Sequence, residues 1–360
     1  MRVIPVRKEG GAAPVPVASV APMKLAEPTE PVARVATVVT GEGEGVTSAL
    51  RLSLALMDPL AWLPPMVAFL CGAAASGRLT GGRELLSGGD GPGTLVPTLA
   101  GMALAGPVLC GFARVVNNGS DHPTAPVTPV AVGDARGEPE PPVIPSAARL
   151  ALPQVIMTGT ALLALGVLLA FVFGGAVVPL AGAGLLLGLA YSLPPLRLKR
   201  NGWLGNGVVA VACVALPWLA GTVALSGGQP HPIGLILAAL FTIGAHGILT
   251  PRHFGSITAD HVRGIRTLPV LLGARGAAVC ASTLLNMAQL VALMLAFVLG
   301  HLLVGGLLVL LLVGQQALQR AWFAHPETRA PWSPATIIRL LYLAAMLLAA
   351  FGVAAPAALP

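Results

Sequence analysis

An all-α bundle that crosses a lipid bilayer many times is the fold class this sequence predicts, and three observations carry it. Hydrophobic residues fill 55% of the 360 positions and charged residues 10%, against roughly 25% charged in a soluble domain. Mean hydropathy is +0.83, so too little polar side chain exists to coat a surface in water. The apolar residues form runs of about 20, the length that spans a hydrocarbon core. The strand-like alternation of a membrane barrel is absent. In lipid, helices satisfy every backbone N–H within their own segment.

In chain order, residues 1–48 come first and differ in kind. They are rich in Pro, Ala, Val, Gly and Glu and contain no aromatic residue. They lack the apolar core of a signal peptide and read as a flexible cytoplasmic tail, with a transmembrane domain over 49–360. Nine spans are predicted: 59–76, 94–115, 148–173, 176–193, 204–225, 233–250, 277–300, 302–318 and 335–356. Some joins are short, notably the pair Gly174 and Gly175, and His301.

Nine spans place the tail and the even-numbered loops on one face. Nineteen of the 21 Lys and Arg residues then fall on that face, Arg114, Arg252 and Arg339 among them, and only Arg78 and Arg83 fall opposite. Positive loops stay cytoplasmic, so the tail is expected in the cytoplasm and the C-terminus across an inner membrane, cytoplasmic or photosynthetic. The net charge of +7 is topological, which excludes a nucleic-acid partner and leaves membrane lipid as the surroundings. Cys71, Cys110, Cys213 and Cys280 lie inside apolar runs without CxxC spacing and read as small apolar helix residues.

Polar chemistry gathers in three loops on the basic face. Loop 116–147 carries Asn117, Asn118, Asp121, Asp134, Glu138 and Glu140; loop 194–203 reads PPLRLKRNGW; loop 251–276 carries His253, Asp260, Arg263 and Arg266. Carboxylates and amides facing a second carboxylate loop, with Lys and Arg between, suit a magnesium–diphosphate site. Mg2+ takes oxygen ligands from one or two carboxylates plus substrate phosphates, and basic side chains take the remaining phosphate charge. Solvated or purely topological loop charge is the competing reading of the same pattern.

At these loops the sequence resembles the UbiA superfamily of membrane prenyltransferases, and within it the chlorophyll and bacteriochlorophyll synthases. The resemblance rests on AYSLPPLRLKRNGWLGN (190–206), LPWLAG (216–221), PLAWLPPMVAFLCGAAASG (59–77), LAGPVLCG (104–111), GAHGILT (244–250), GIRTLPVLLG (264–273) and LLVGQ (311–315). It covers roughly residues 52 to 352, in order. It implies a nine-helix UbiA-type bundle and an esterification, in which geranylgeranyl or phytyl diphosphate loses diphosphate to the propionate of a chlorophyllide or bacteriochlorophyllide. It also implies Mg2+ as a Lewis acid for the departing diphosphate.

The motifs that hold metal in that family are altered here. In the first, an NDxxDxxxD run, Asn117 keeps the leading Asn, Asn118 replaces an Asp, Asp121 is kept and Ala125 stands at the third Asp. Asp134 is the candidate to supply the missing carboxylate. In the second, PRHFGSITADHVRGIRTLP, His253 replaces an Asp and Asp260 remains. A neutral imidazole is a poor ligand for a hard cation. The resemblance thus implies Asp121, Asp260, Asn117 and Asn118 as catalytic positions and Asp121, Asp260 and Asp134 as metal ligands. Tyr191, Arg197, Lys199, Arg266 and His246 would contact substrate. For Arg197 and Lys199 topological anchoring competes with that role, for Tyr191 interfacial placement, and for His246 helix packing. Intact scaffold with altered metal motifs also suits a second class, a non-catalytic paralogue that binds tetrapyrrole or prenyl chain and serves photosynthetic assembly proteins.

The charge asymmetry makes a direct prediction: reporter fusions should find the N-terminus cytoplasmic and the C-terminus opposite. Both termini on one side would refute nine spans.

Overall fold

The structure, a computed structural model, describes residues 46–77, 79, 87–88, 91–120, 146–226, 230–324 and 333–354. Of the expected tail, 1–45 lies outside the described residues, and a helix begins at Val46. α1 (Val46–Met57) leads through a 3-10 turn (Pro59–Trp62) into α2 (Leu63–Ala75). α3 (Leu95–Ser120), α4 (Ser146–Phe173), α5 (Val177–Ser192) and α6 (Gly202–Leu225) follow. α7 (Pro232–Leu249) continues through a 3-10 segment (Thr250–Ser256) into short α8 (Ile257–Val262). α9 (Leu268–Val298), α10 (Leu302–Ala324) and α11 (Pro334–Gly352) complete the bundle. A two-rung hairpin pairs Ser87–Gly88 with Gly91–Pro92.

Among the described residues, seven helices are long and apolar enough to cross a bilayer. The pair Ala49–Met57 and Pro59–Ala75, bent by 43°, makes eight if counted as one span. α5 has 16 residues, about 24 Å at 1.5 Å per residue, short of the roughly 30 Å hydrocarbon core. Helix length therefore does not carry the count of nine.

Two boundaries differ from the sequence reading. α3 runs to Ser120, past the predicted end at 115, and so brings Asn117 and Asn118 into helix. Asn118 Nδ2 donates to the Leu56 carbonyl of α1 at 2.8 Å, a contact 62 positions distant that hydropathy does not register. α9 starts at Leu268, not 277, with Pro269 in its first turn, a favoured place for proline, and is interrupted at Gly273 (φ 71°, ψ 166°).

Helices in lipid associate where small residues let backbones meet. α2 and α6 cross in that way: a Cβ on Gly72 would stand 1.8 Å from the Trp218 carbonyl oxygen, and one on Gly221 2.1 Å from that of Phe69. Thr222 Oγ1 donates to the Gly72 carbonyl at 3.2 Å across the same crossing. α7 is pinned to α11 by Tyr342, whose hydroxyl donates to the Phe241 carbonyl at 2.6 Å. Trp218, Phe241, Leu285, Tyr342 and Met346 fill the centre, while Phe171, Val172, Leu303 and Val313 are exposed, as lipid-facing side chains should be.

The glycine crossing yields a paired test. Gly221→Val should cost about 3 kcal/mol or more, at the upper end of overpacking effects, read as a lowered unfolding midpoint in detergent. Gly207→Val on the same helix, where an added Cβ meets nothing within 4 Å, should leave the midpoint nearly unchanged. Equal effects would contradict the crossing.

Candidate functional site

The polar residues collect at one end of the bundle, where two loops are tied together. The Arg266 N–H donates to the Arg200 carbonyl at 2.9 Å and the Gly202 N–H to the Arg266 carbonyl at 2.7 Å, making a parallel bridge between Asn201 and Arg266. A Cβ on Gly202 would lie 2.4 Å from the Leu268 nitrogen, so the approach needs glycine. Asn201 caps α6, its Oδ1 accepting from the N–H groups of Trp203 and Leu204 at 3.0 Å each. Asp260 is 8% exposed. Its Oδ2 accepts from Ser256 Oγ at 2.7 Å and Thr267 Oγ1 at 3.4 Å, and its carbonyl accepts from the Ile265 N–H at 2.8 Å. The carboxylate that sequence nominated as a metal ligand thus closes its own turn.

Lys199 connects this pair of loops to the end of α3. Its Nζ donates to Asn117 Oδ1 at 3.2 Å and to Ser120 Oγ at 2.9 Å, and Arg197 reaches the Ser120 carbonyl at 3.5 Å. The structure therefore brings Asn117, Arg197 and Lys199 together around Ser120. Arg197 (φ 38°) and Asp58 (φ 49°) are the two non-glycine residues with positive φ among the described residues. A strained backbone persists where surroundings over-determine it, often at functional sites.

Beneath these loops lies a group that sequence reading dispersed. Asp58, at the elbow between α1 and α2, forms an ion pair with Arg114 of α3. Arg114 Nε is buried without a hydrogen-bond partner. Arg252 donates to the Tyr191 hydroxyl at 2.8 Å and its guanidinium carbon lies 5.9 Å from the ring centroid. Arg339 on α11 is within electrostatic reach of Arg252, Asp58 and Arg114. Arg114 and Arg339, counted with the basic face at the ends of their predicted spans, stand inside α3 and α11. No local pattern marks such convergence, although an arginine within an apolar run is itself a signal. Next to Arg114, a narrow apolar cleft, partly open to its surroundings, runs between α2, α3, α5 and α6, lined by Phe69, Leu104, Leu109, Val177, Leu180 and Leu216.

Two expected substrate contacts are placed otherwise. His246 Nε2 lies 3.1 Å from the Trp203 carbonyl, which fixes that nitrogen as the donor, and the rings stand 5.1 Å apart. Its Nδ1 is buried, so the histidine clamps α7 to α6, the packing alternative. Arg266 acts through its main chain while its side chain is exposed. Asp121 and Asp134 lie outside the described residues.

The described residues do not suit a Mg2+ site. Asp58 and Asp260 are the two carboxylates among them, one paired with Arg114 and the other closing a turn. At the altered motif positions, His253 Nε2 accepts from Arg252 Nε at 3.1 Å, and Asn118 presents a neutral amide whose Nδ2 donates to the Leu56 carbonyl. No group of three or more His, Cys, Asp or Glu comes together among the described residues.

Comparison with known proteins agrees with the fold and with the family resemblance. Residues 79–344 match the UbiA prenyltransferase family. The bacteriochlorophyll synthase 33 kDa chain of Cereibacter sphaeroides is 36% identical, the match covering 86% of this chain and 95% of that one. The 34 kDa chain of Chloroflexus aurantiacus is 37% identical over 84% and 90%. Chlorophyll synthase of Arabidopsis thaliana is 33% identical over 63% and 55%. A solved UbiA homologue from Archaeoglobus fulgidus, bound to GPP and Mg2+, superposes with a TM-score of 0.57 at 16% identity, covering 84% of this chain and 99% of that one.

The elbow ion pair can be weighed by a double-mutant cycle of Asp58→Ala and Arg114→Ala in thermal unfolding. A coupling of about 1–3 kcal/mol is expected for a partly buried pair. Strict additivity would show that the pair contributes nothing.

Proposed function

This chain belongs to the UbiA prenyltransferase family, and from that premise we propose that it is a chlorophyll-synthase-like enzyme of the inner membrane. It would esterify the propionate of a chlorophyllide or bacteriochlorophyllide with geranylgeranyl or phytyl diphosphate. The observation that carries this reading is the apolar cleft ending beside Arg114, at the end of the bundle that also holds Lys199 and Arg252. A long prenyl chain suits the cleft and an anionic head suits its basic end. In this reading the chain crosses the membrane nine times, with α5 as the short span and the N-terminus cytoplasmic.

The reaction breaks the bond between the prenyl C1 and the diphosphate oxygen and forms one from C1 to a propionate oxygen. The departing diphosphate takes the bond's electron pair. Lys199, placed by Asn117 and Ser120, and Arg252, placed by Tyr191, would stabilise that developing charge, a contribution that grows when donors are pre-aimed. Holding the acceptor carboxylate at the loop end would provide the orientation that makes the step effectively unimolecular. The amide at Asn118 and the imidazole at His253 favour one other reading, a paralogue that binds the same two partners without turnover and serves photosystem assembly.

Membranes containing the full chain, supplied with geranylgeranyl diphosphate and bacteriochlorophyllide, should form the esterified pigment. Lys199→Ala should slow that formation about tenfold or more, the loss of one charge-assisted contact to a developing anion. Folded protein that binds both compounds but never forms the ester would select the non-catalytic reading.

A further inference from the structure

The cationic end of the cleft carries more positive charge than the described residues neutralise. Arg339 lies within electrostatic reach of Arg114, Arg252 and Asp58 there, Lys199 is held at the end of α3 by Asn117 and Ser120, and Asp58 is the one carboxylate of the group among the described residues. Asp260 is turned to Ser256 and Thr267. Each guanidinium comes from a different helix or helix end, and Arg114 keeps a buried Nε without a partner. Gathering like charges between lipid-facing helices is unfavourable unless an anion completes the group. Guanidinium is the group suited to that anion, because its planar fork matches phosphate oxygens.

We propose that the anionic head of the prenyl donor is bound here by Arg252 and Arg339, with Arg114, and without a divalent cation. This rests on the prenyl-diphosphate reading above and goes beyond it by naming what neutralises the head. Two guanidinium charges equal the charge of one Mg2+ ion. By the resemblance, the chain has exchanged an Asp for the neutral His253 in one loop and an Asp for Asn118 in the other, and Arg252 stands next to the first exchange. A metal site needs negative ligands near the phosphates, whereas among the described residues this site offers positive charge directly, with Asp58 paired to Arg114 and Asp260 turned to Ser256 and Thr267.

The test is equilibrium binding of geranylgeranyl diphosphate to the purified full chain in detergent, once with EDTA and once with Mg2+. A site that does not include the metal has no coupling to it, so the two affinities should agree within about threefold. Arg252→Gln and Arg339→Gln should each weaken binding about tenfold or more in both buffers, and Arg339→Lys should recover most of that loss. Geranylgeraniol, which lacks the head group, should bind more weakly than the diphosphate. Binding that appears only with Mg2+ overturns the metal-free site while leaving the prenyl-diphosphate reading in place. Unchanged affinity in both Gln variants, or equal affinity for geranylgeraniol, also overturns it. A folded chain that binds the diphosphate in neither buffer overturns both.

Discussion

A guanidinium set between helices that face lipid must be answered by an anion, a dipole or another solvent, and this requirement organises the whole loop end of the molecule. Asp58 answers Arg114 across the α1–α2 elbow, and the Tyr191 hydroxyl and ring answer Arg252. Those contacts draw α1, α3, the end of α5 and the segment after α7 toward one point. The tied loops at 197–202 and 260–268 then close over it. The helical bundle is built by apolar packing and small-residue crossings, as in any membrane helix assembly. The arrangement of its polar end follows from charge.

Much of this architecture was legible in the chain, because a membrane leaves few alternatives. Composition and apolar runs located the helices, and the run PPLRLKRNGW marked the loop where Lys199 and Arg197 sit beside Asn117. What stayed hidden depends on contacts between distant positions. Asn118 is tied to Leu56, which lies in another helix, and the partners of Arg114 and Arg339 are remote in sequence. Asp58, one residue among a largely apolar stretch, is the counter-charge of Arg114. His246 was nominated for its place inside an apolar run, where a polar residue is a functional candidate, but its bond to the Trp203 carbonyl shows that packing can claim such a residue as well.

The altered motif positions make more sense together than singly. Asn118 retains the shape of an aspartate and spends its amide on α1, which helps hold the last turn of α3 in helix. His253 accepts from Arg252 and so orients the guanidinium that an aspartate at the same place would have paired and neutralised. Each exchange removes negative charge and adds a contact that fixes a neighbouring element. The scaffold keeps its geometry while the electrostatic character of its mouth shifts from metal-attracting toward anion-attracting.

A second polar group inside the bundle shows why the arginine cluster reads as a site and not as helix glue. Between α9 and α10, Gln289 Nε2 donates to Gln315 Oε1 at 2.7 Å, Gln315 Nε2 to Asn286 Oδ1 at 3.1 Å, and Gln319 and Asn286 exchange bonds of 3.0 and 3.1 Å. These amides are neutral, almost wholly buried in the three glutamines, and supply donors and acceptors to one another, with Gln289 Oε1 the one oxygen of the three glutamines buried without a partner. Such a ladder holds two helices together and asks for no ligand. The arginines have donors but few acceptors, carry like charge, and stand where the apolar cleft meets the loops. Polar groups that complete one another stabilise a membrane bundle. Polar groups left with surplus charge of one sign at the end of an apolar cleft are completed by what the cleft binds.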